Sequence, residues 1–598
     1  VALSQKPDKL WREVRRAIDD RDDVLKGFDK AIRRMHGSGY GSETDGEETT
    51  VNHAVAWLSV MLPKMIHRNP KSIVRTRRAI DGQQSEVEQA ADSIQAFLNV
   101  WVKSVGLAKT LKLCARDYSF HWCAAIVTRR KHAGDPTQDT ETERWLPEVQ
   151  RVPLWRLVID PYCECLEQAR YVGHVWHADK EDLVEIAKNA DEDDGWVLEA
   201  IEASEPGESS VLNDERDENS RTVDREELVC LDLWVPEKLH DEQVGPEDGF
   251  HGTILTMSMN AEEEKLAFIR KPRPYYGPPC GPYAVGGYLN VPKKVWPLGP
   301  LAVTHGHEDL LRRMTDHANK ACAEYRKVMF VPMGTGAEEA AKKAAVGNNI
   351  IIPVRGLASD AAPVTLEIGG LTDQQIKQMS HAERQLSLMS GLDAAQQGEV
   401  SGDGTATEHA IADSAMQTRS GHIVDNFHEF VNAILKKSAW YGFHDEQVRL
   451  ELSEDIEGLE GMESPEFVGG PGGLDSRAFD AMSIDIEAMS MERTSDALHQ
   501  RRMLQAMQIM VQLAPVIRQF PEWKWKQILG FLGDALNIPE LDSMVDFDMA
   551  SQLMNVPVGG QEQQPAIGIE TGFGNDTREA REVVGRIAGA ASGVQGVA

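Results

Sequence analysis

Residues 401–437, SGDGTATEHAIADSAMQTRSGHIVDNFHEFVNAILKK, pass from a small, polar, acidic stretch straight into a helical pattern. Thr405 and Glu408 form a Thr-x-x-Glu capping box, in which the hydroxyl accepts an orphan helix N–H and the glutamate reaches back to the cap. Ile411, Ala415, Ile423, Phe427, Phe430, Ile434 and Leu435 then mostly recur at the spacing of one buried helix face. Lys436 and Lys437 sit where the negative end of a helix dipole favours cations. Taken alone, the stretch reads as a surface loop pinned to a core helix.

The chain just before it gives the loop a setting. After Pro300 comes a helical pattern in which Leu311, Met314, Ala318, Ala321 and Tyr325 recur at 3-4-3-4 spacing, close to a coiled-coil seam. It ends near VMFVP. A short block, MGTGAEEAAKKAAVGNNIIIPVRGLASDAAPVTLEIGG, follows as a small Ala-rich helix flanked by short strands. Thr372 and Gln375 then form a second capping box, opening a helix that runs to about Met389. Two helices that bracket a compact insertion can lie side by side as an antiparallel stem. Their narrow apolar seams predict packing against copies of themselves in an oligomer.

Elsewhere the pattern predicts a helix over residues 1–36 and another from Val51 to near Pro63. A strand lies in RNPKSIVRTRR, and one long helix runs from Ser85 to about Lys112. Residues 115–180 read as β-rich. Strands resume at LVCLDLWVPE, GTILTMSM and KLAFIRKP, and later at QVRLEL and MSIDIEAMS. The acid-dense segment 191–227 reads as a solvated excursion with no site. Beyond it, Met503, Met507 and Met510 mark a C-terminal helix as core filling rather than a ligand surface.

The chain has 598 residues, with 63 Lys and Arg against 95 Asp and Glu, a formal charge of −32. That length calls for several compact units, and the acid excess argues against tight nonspecific grip on nucleic acid, which depends on neutralised phosphates. Seven cysteines show no paired C-x-x-C spacing, which predicts reduced thiols. The absence of an apolar run of about 18 residues predicts no membrane span, and the first residues carry no signal-peptide core; assembly in a cytoplasm is the expectation.

Chemistry is hard to find. There is no phosphate loop, and GSGYGSE near Gly37 follows a charged helix rather than a strand, so it reads as a linker. HEDLL at His307 and HEFVN at His428 lack the second histidine of a zinc helix. His305, His307, Glu308 and Asp309 read as a helix start, where acids meet the dipole, rather than as a metal site. No nucleophile signature is present. The expectation is a protein with no catalytic residues, cofactor or metal.

The order of elements resembles that of a portal protein of a tailed bacteriophage. The resemblance spans residues 51 to about 490 and is carried by VNHAVAWLSVMLPKMIHRNPKSIVR, PLWRLVIDPYCECLEQARYVGHV, LLRRMTDHANKACAEYRKVMFVP, TATEHAIADSAMQTRSG and IDIEAMSM. It implies an α+β multidomain chain with the portal-protein fold. An N-terminal helix and linker would occupy 1–50, a mixed α/β wing 51–299, stem helices 300–327 and 372–390, and a small α/β clip 328–371. A tunnel loop would follow at 391–406, then the wing's long helix and strands at 407–492 and a helical crown and tail at 493–598.

Function follows from the same resemblance. It implies a dodecameric ring at one capsid vertex of the virion, the channel for DNA packaging and ejection. Its partners would be the terminase packaging motor, head–tail adaptor and tail proteins, the major capsid and scaffolding proteins, and double-stranded DNA passing without sequence specificity. Asp393, Gln396, Gln397, Glu399, Asp403 and Thr405 would line the tunnel loop. Lys377, Arg384 and Arg419 are candidate DNA-facing cations, and Glu338, Glu339, Lys342 and Lys343 candidate clip contacts. The acidic segment 191–227 has no counterpart in the common portal core. The alternatives are another ring-forming head–tail adaptor or minor capsid structural protein, and a host multidomain enzyme with an unrecognised site.

Overall fold

The computed structural model divides the chain into two compact units, Val1–Gln500 and Arg501–Ala598. It describes residues 7–36, 53–76, 84–132, 144–190, 194–204, 227–240, 242–259, 268–332, 350–354, 364–368, 370–390, 406–445, 447–448, 450–451, 467–468, 477–486 and 490–491, all in the first unit. Thr405 of the first capping box, the QVR of QVRLEL in part, and the methionine-bearing helix after 493 lie outside these residues. What is described is a mixed α and β architecture.

Helix α1 (Pro7–His36) is followed by α2 (His53–Met65) and strand β1 (Ser72–Thr76). The single helix predicted from Ser85 to Lys112 is two, α3 (Gln84–Val105) and α4 (Leu107–Phe120). Gly106 between them takes a φ of 63°, the left-handed conformation that terminates a helix and that glycine adopts without a Cβ clash. The β-rich region therefore begins later than predicted, at β2 (Trp122–His132), with β3 (Arg144–Arg151), β4 (Leu157–Ile159) and β5 (Val172–Asp179) behind it.

Residues 194–204 of the acidic segment are also less solvated than its composition implies. Past α5 (Lys180–Asn189) comes a short helix, α6 (Leu198–Ala203), and Ile201 is buried with Leu183, Leu228, Cys230 and Ile269 while Trp196 packs against them. Arg270 lies over the Trp196 ring at 4.8 Å. Two apolar anchors thus hold down one end of a stretch whose charges dominate its sequence.

Strands β6 (Glu227–Val235), β7 (Phe250–Ser258) and β8 (Phe268–Tyr276) extend β4 and β5 into a five-stranded antiparallel meander in chain order. Helix α1 lies on it, burying Leu10, Trp11, Val14 and Ile18 with Val158, Val175, Leu231 and Leu233. Arg170 locks that contact by a paired hydrogen bond to the buried Asp160 and a 3.2 Å ion pair with Glu13 of the helix. Strand β9 (Tyr283–Gly287) leaves the meander and pairs with β2, forming the antiparallel sheet β3-β2-β9.

The rest of the unit is built from α7 (Pro300–Ala323), strands β10 (Arg326–Pro332), β11 (Ile350–Val354) and β12 (Val364–Ile368), α8 (Asp373–Ser390) and the 39-residue α9 (Ala406–His444). Short strands β13 (Leu450–Glu451) and β14 (Phe467–Val468) pair together, and β15 (Met482–Ile486) returns to pair antiparallel with β1. Ile423, Phe427, Phe430, Ile434 and Leu435 are buried, as the predicted face requires. The helix does not end near Lys437, however. It runs on to His444, and Ser438, Ala439, Trp440, Tyr441 and Phe443 are all buried, so its last turns are enclosed on every side.

Lys437 consequently points into protein rather than solvent. It is 4% exposed and donates to the carbonyls of Cys280 (3.2 Å) and Gly281 (2.6 Å) in the turn between β8 and β9. That turn is closed by the Gly281 N–H on the Pro278 carbonyl, and Gly281, at φ 73°, lies so close to Trp234 that a Cβ would fall 2.7 Å from its ring. The charge thus satisfies carbonyls that would otherwise be stranded inside.

Burial also sets the acid response of this unit. His121, His174, His251, His428 and His444 are all held below the ordinary imidazole range by desolvation, His121 down to about 4. The unfolded chain therefore binds protons below about pH 6.5 that the folded chain refuses, and stability falls as pH drops from there toward about 4. Urea midpoints measured between pH 7 and pH 5 are expected to decline. Replacing His251 and His444 together by Phe, which keeps both rings beside Trp440, is expected to flatten the slope.

Candidate functional site

Helices α7 and α8 form an antiparallel hairpin. Near its outer end the Gly370 N–H donates to the Ala321 carbonyl at 3.0 Å, and further in Leu311 and Met314 meet Ala382 and Leu386. The seam is narrow, with Ala318 and Ala382 buried, and it is used between α7 and α8 of one chain, so the 3-4 spacing does not by itself call for packing against copies. Tyr325 does not belong to it. The helix ends at Ala323 and Tyr325 is exposed, lying against Gly370. The predicted cap at the start of α8 is present: the Thr372 N–H donates to Gln375 Oε1 at 3.0 Å, and the Gln375 N–H donates back to Thr372 Oγ1 at 3.4 Å.

The root of the hairpin is firmly held. Gly299 sits directly on the backbone of Phe120 and His121, leaving no room for a Cβ, so α7 starts in contact with the end of α4. Leu301 and Thr304 are buried there, and Thr304 Oγ1 donates to the Leu301 carbonyl. On α2, His53 Nδ1 lies 3.2 Å from Glu308 Oε1, and the Trp57 indole donates to the Ser390 carbonyl at 3.0 Å, fastening the last turn of α8. Burial and the neighbouring His305 push the His121 imidazole down. Of the histidines and acids singled out in the sequence, Glu308 and His305 are thus part of this anchorage. Among the described residues, no group of three or more His, Cys, Asp or Glu is placed to hold a metal ion.

At the outer end sits a three-stranded sheet in the order β11-β10-β12, with β11 parallel and β12 antiparallel to the central strand. The register pairs Val328 with both Ile350 and Leu366. The chain thus runs out along α7, makes the sheet, and returns along α8.

The surface of this projection is apolar for an exposed element. Of the twelve large hydrophobic side chains exposed among the described residues, seven lie between 300 and 390: Leu310, Tyr325, Ile352, Leu366, Ile376, Leu388 and Met389. Ile376 and Leu388 are 48% and 46% exposed on a helix whose inner face is already filled by Ala382 and Leu386.

The residues proposed from the sequence are distributed unevenly. Lys377 and Arg384 are exposed on α8, and Arg419 lies on α9. Asp393, Gln396, Gln397, Glu399, Asp403 and Thr405 lie outside the described residues, as do Glu338, Glu339, Lys342 and Lys343. The residues that the sequence did not flag are the anchors: Trp57, Gly299 and Ser390. Only the Trp57 position carries a signal, an aromatic in an apolar helix, which does not stop near Pro63 as expected but carries that proline within its last turn and ends at Met65.

All seven cysteines are free, and among the described residues no helix is long and apolar enough to cross a membrane. No protein-family model matches the chain, and no curated protein sequence matches it.

The seam predicts its own failure. Ala382→Glu would press a charge against Leu311 and Leu386, which costs several kcal/mol if the carboxylate stays buried. The expected outcome is faster proteolysis within residues 300–390 while the main core, which Leu301 joins at the root but Ala382 does not, keeps its melting transition. Limited digestion followed by mass spectrometry of the fragments reads this directly.

Proposed function

We propose that the chain is a portal subunit of a tailed phage, one of twelve around a channel for double-stranded DNA, with no catalysis of its own. The observation that carries the reading is the projecting hairpin: two antiparallel helices rooted in an α/β body, a small sheet at the outer end, and exposed apolar side chains along the outside. In this reading α7 and α8 are the stem, residues 328–371 the clip that meets the packaging motor and then the tail adaptor, and residues 391–406 the tunnel loop. The loop starts at Ser390, whose carbonyl is held by Trp57, so each copy would deliver its loop from a fixed point.

The acid excess agrees with a conduit. A wall that repels phosphate lets a duplex slide, whereas a basic wall would hold it through released counterions. The exposed apolar residues Ile376 and Leu388 agree with lateral packing of neighbouring stems.

Electron microscopy of the purified protein tests the assembly. Rotationally symmetric rings with a hole wide enough for a duplex are expected, and their absence at every concentration tried would refute the reading. Ile376→Asp with Leu388→Asp is expected to abolish rings while leaving a folded monomer, since both side chains are already exposed within one chain. An adaptor that is not the DNA gate would also form rings, so a second test is needed.

That test reverses charge in the loop. Asp393→Lys, Glu399→Lys and Asp403→Lys together are expected to leave ring assembly intact but slow packaging, through binding that weakens steeply as salt rises. A packaging assay at low salt decides it, and an unchanged rate would remove residues 391–406 from the channel.

A further inference from the structure

The Lys437 ammonium makes a third contact besides its two carbonyls. It donates to Sγ of Cys280 at 2.9 Å. Cys280 is exposed on the turn between β8 and β9, whereas Lys437 is buried on α9, with no ion pair to a described carboxylate. The sulfur of an exposed residue is therefore bonded by a buried amine that two carbonyls hold in place. Cys165 and Cys322 are also exposed, but neither receives a hydrogen bond from a lysine among the described residues.

We propose that Cys280 and Lys437 form an oxidative modification site, closing to a covalent sulfenamide bridge when a peroxide reaches the turn. In the first step the Cys280 sulfur attacks one peroxide oxygen. The O–O bond breaks, sulfur is oxidised by two electrons to sulfenic acid, and the other oxygen leaves as water. Lys437 then gives one ammonium proton to the sulfenic oxygen and attacks Sγ through the lone pair so freed. The N–S bond forms, the S–O bond breaks with the oxygen leaving as a second water, and the surplus proton on nitrogen passes to solvent across the exposed turn. One thiol, one amine and one peroxide become one S–N bond and two waters.

Geometry favours this route over further oxidation. Sulfenic acids condense with a nearby nitrogen when one is in reach, and here the nitrogen is positioned before the oxidant arrives. The hydrogen bonds to the Cys280 and Gly281 carbonyls aim Nζ at the turn. The bridge would join residues far apart in sequence, fixing the turn between two sheets to the helix at the centre of the unit, and a thiol reductant would reopen it.

The test treats the purified full-length chain with hydrogen peroxide, alkylates free thiols, digests without reductant and analyses the peptides by mass spectrometry. The expected product is one cross-linked pair carrying Cys280 and Lys437, lighter than the sum of its parts by about 2 Da, with cleavage after Lys437 lost. Dithiothreitol is expected to return both peptides unmodified. Cys280→Ser, at an exposed position, is expected to fold as before, give no bridge, and lose the reductant-reversible rise in melting temperature that peroxide gives the parent chain. Conversion of Cys280 only to sulfinic or sulfonic acid or a disulfide, with the Lys437 peptide unchanged, would overturn the proposal. So would an unmodified Cys280, or a cross-link that survives in Cys280→Ser.

Discussion

The first unit is organised by one demand: the last turns of α9 must be covered on all sides. Trp440, Tyr441 and Phe443 leave no face for water, so the sheet β3-β2-β9, the end of the meander and helices α2 to α4 all close on this rod. Within that enclosure sits a lysine with no described carboxylate to neutralise it. The carbonyls of a tight turn solvate the ammonium instead, at the expense of fixing that turn's geometry. Gly281 is required by the same arrangement, because Trp234 occupies the space where a side chain would stand.

A second set of contacts transmits this rigidity outward. Tyr118 on α4 donates to the Ile423 carbonyl of α9, and α4 in turn receives Gly299 at the root of the hairpin. Trp57 reaches from α2 to the other root at Ser390. The body therefore holds both ends of the projection while the projection's own interior is slight, only a few side chains such as Leu311, Leu386 and two alanines. A thin seam between well-held roots suits an element completed by neighbours in an assembly.

Much of this was legible in the sequence. The hairpin was readable because its seam keeps a 3-4 period, and the start of α8 because a capping box has a fixed offset. The strands of the meander were readable from their β-branched runs. The break at Gly106 was not, since a lone glycine in an otherwise periodic run looks like a tolerated defect. The enclosed end of α9 was also hidden. Lys436 and Lys437 read as cations at a helix end, and only the tertiary neighbours turn Lys437 and Ser438 into interior residues. Trp196 and Ile201 were masked in the same way by the acids around them.

For the candidate site the division is sharper. Composition flagged the polar loop and the charged block, whereas the structure describes the shape that carries them: two roots, a seam and an outer surface. Anchors such as Gly299 leave no mark in a sequence, because the reason for the glycine is another segment's backbone 179 positions away.

The anchored hairpin is also a lever. Its outgoing helix has 24 residues, about 36 Å at the usual rise, and meets the body at its root. A tilt of about 5° at that root would carry the far sheet through roughly 3 Å, about a side chain's width, with no bond broken along the shaft. Small displacements of the Phe120–His121 backbone beneath Gly299 would therefore be magnified at the sheet. Pressure applied at the sheet would reach the core of the body through the same fulcrum.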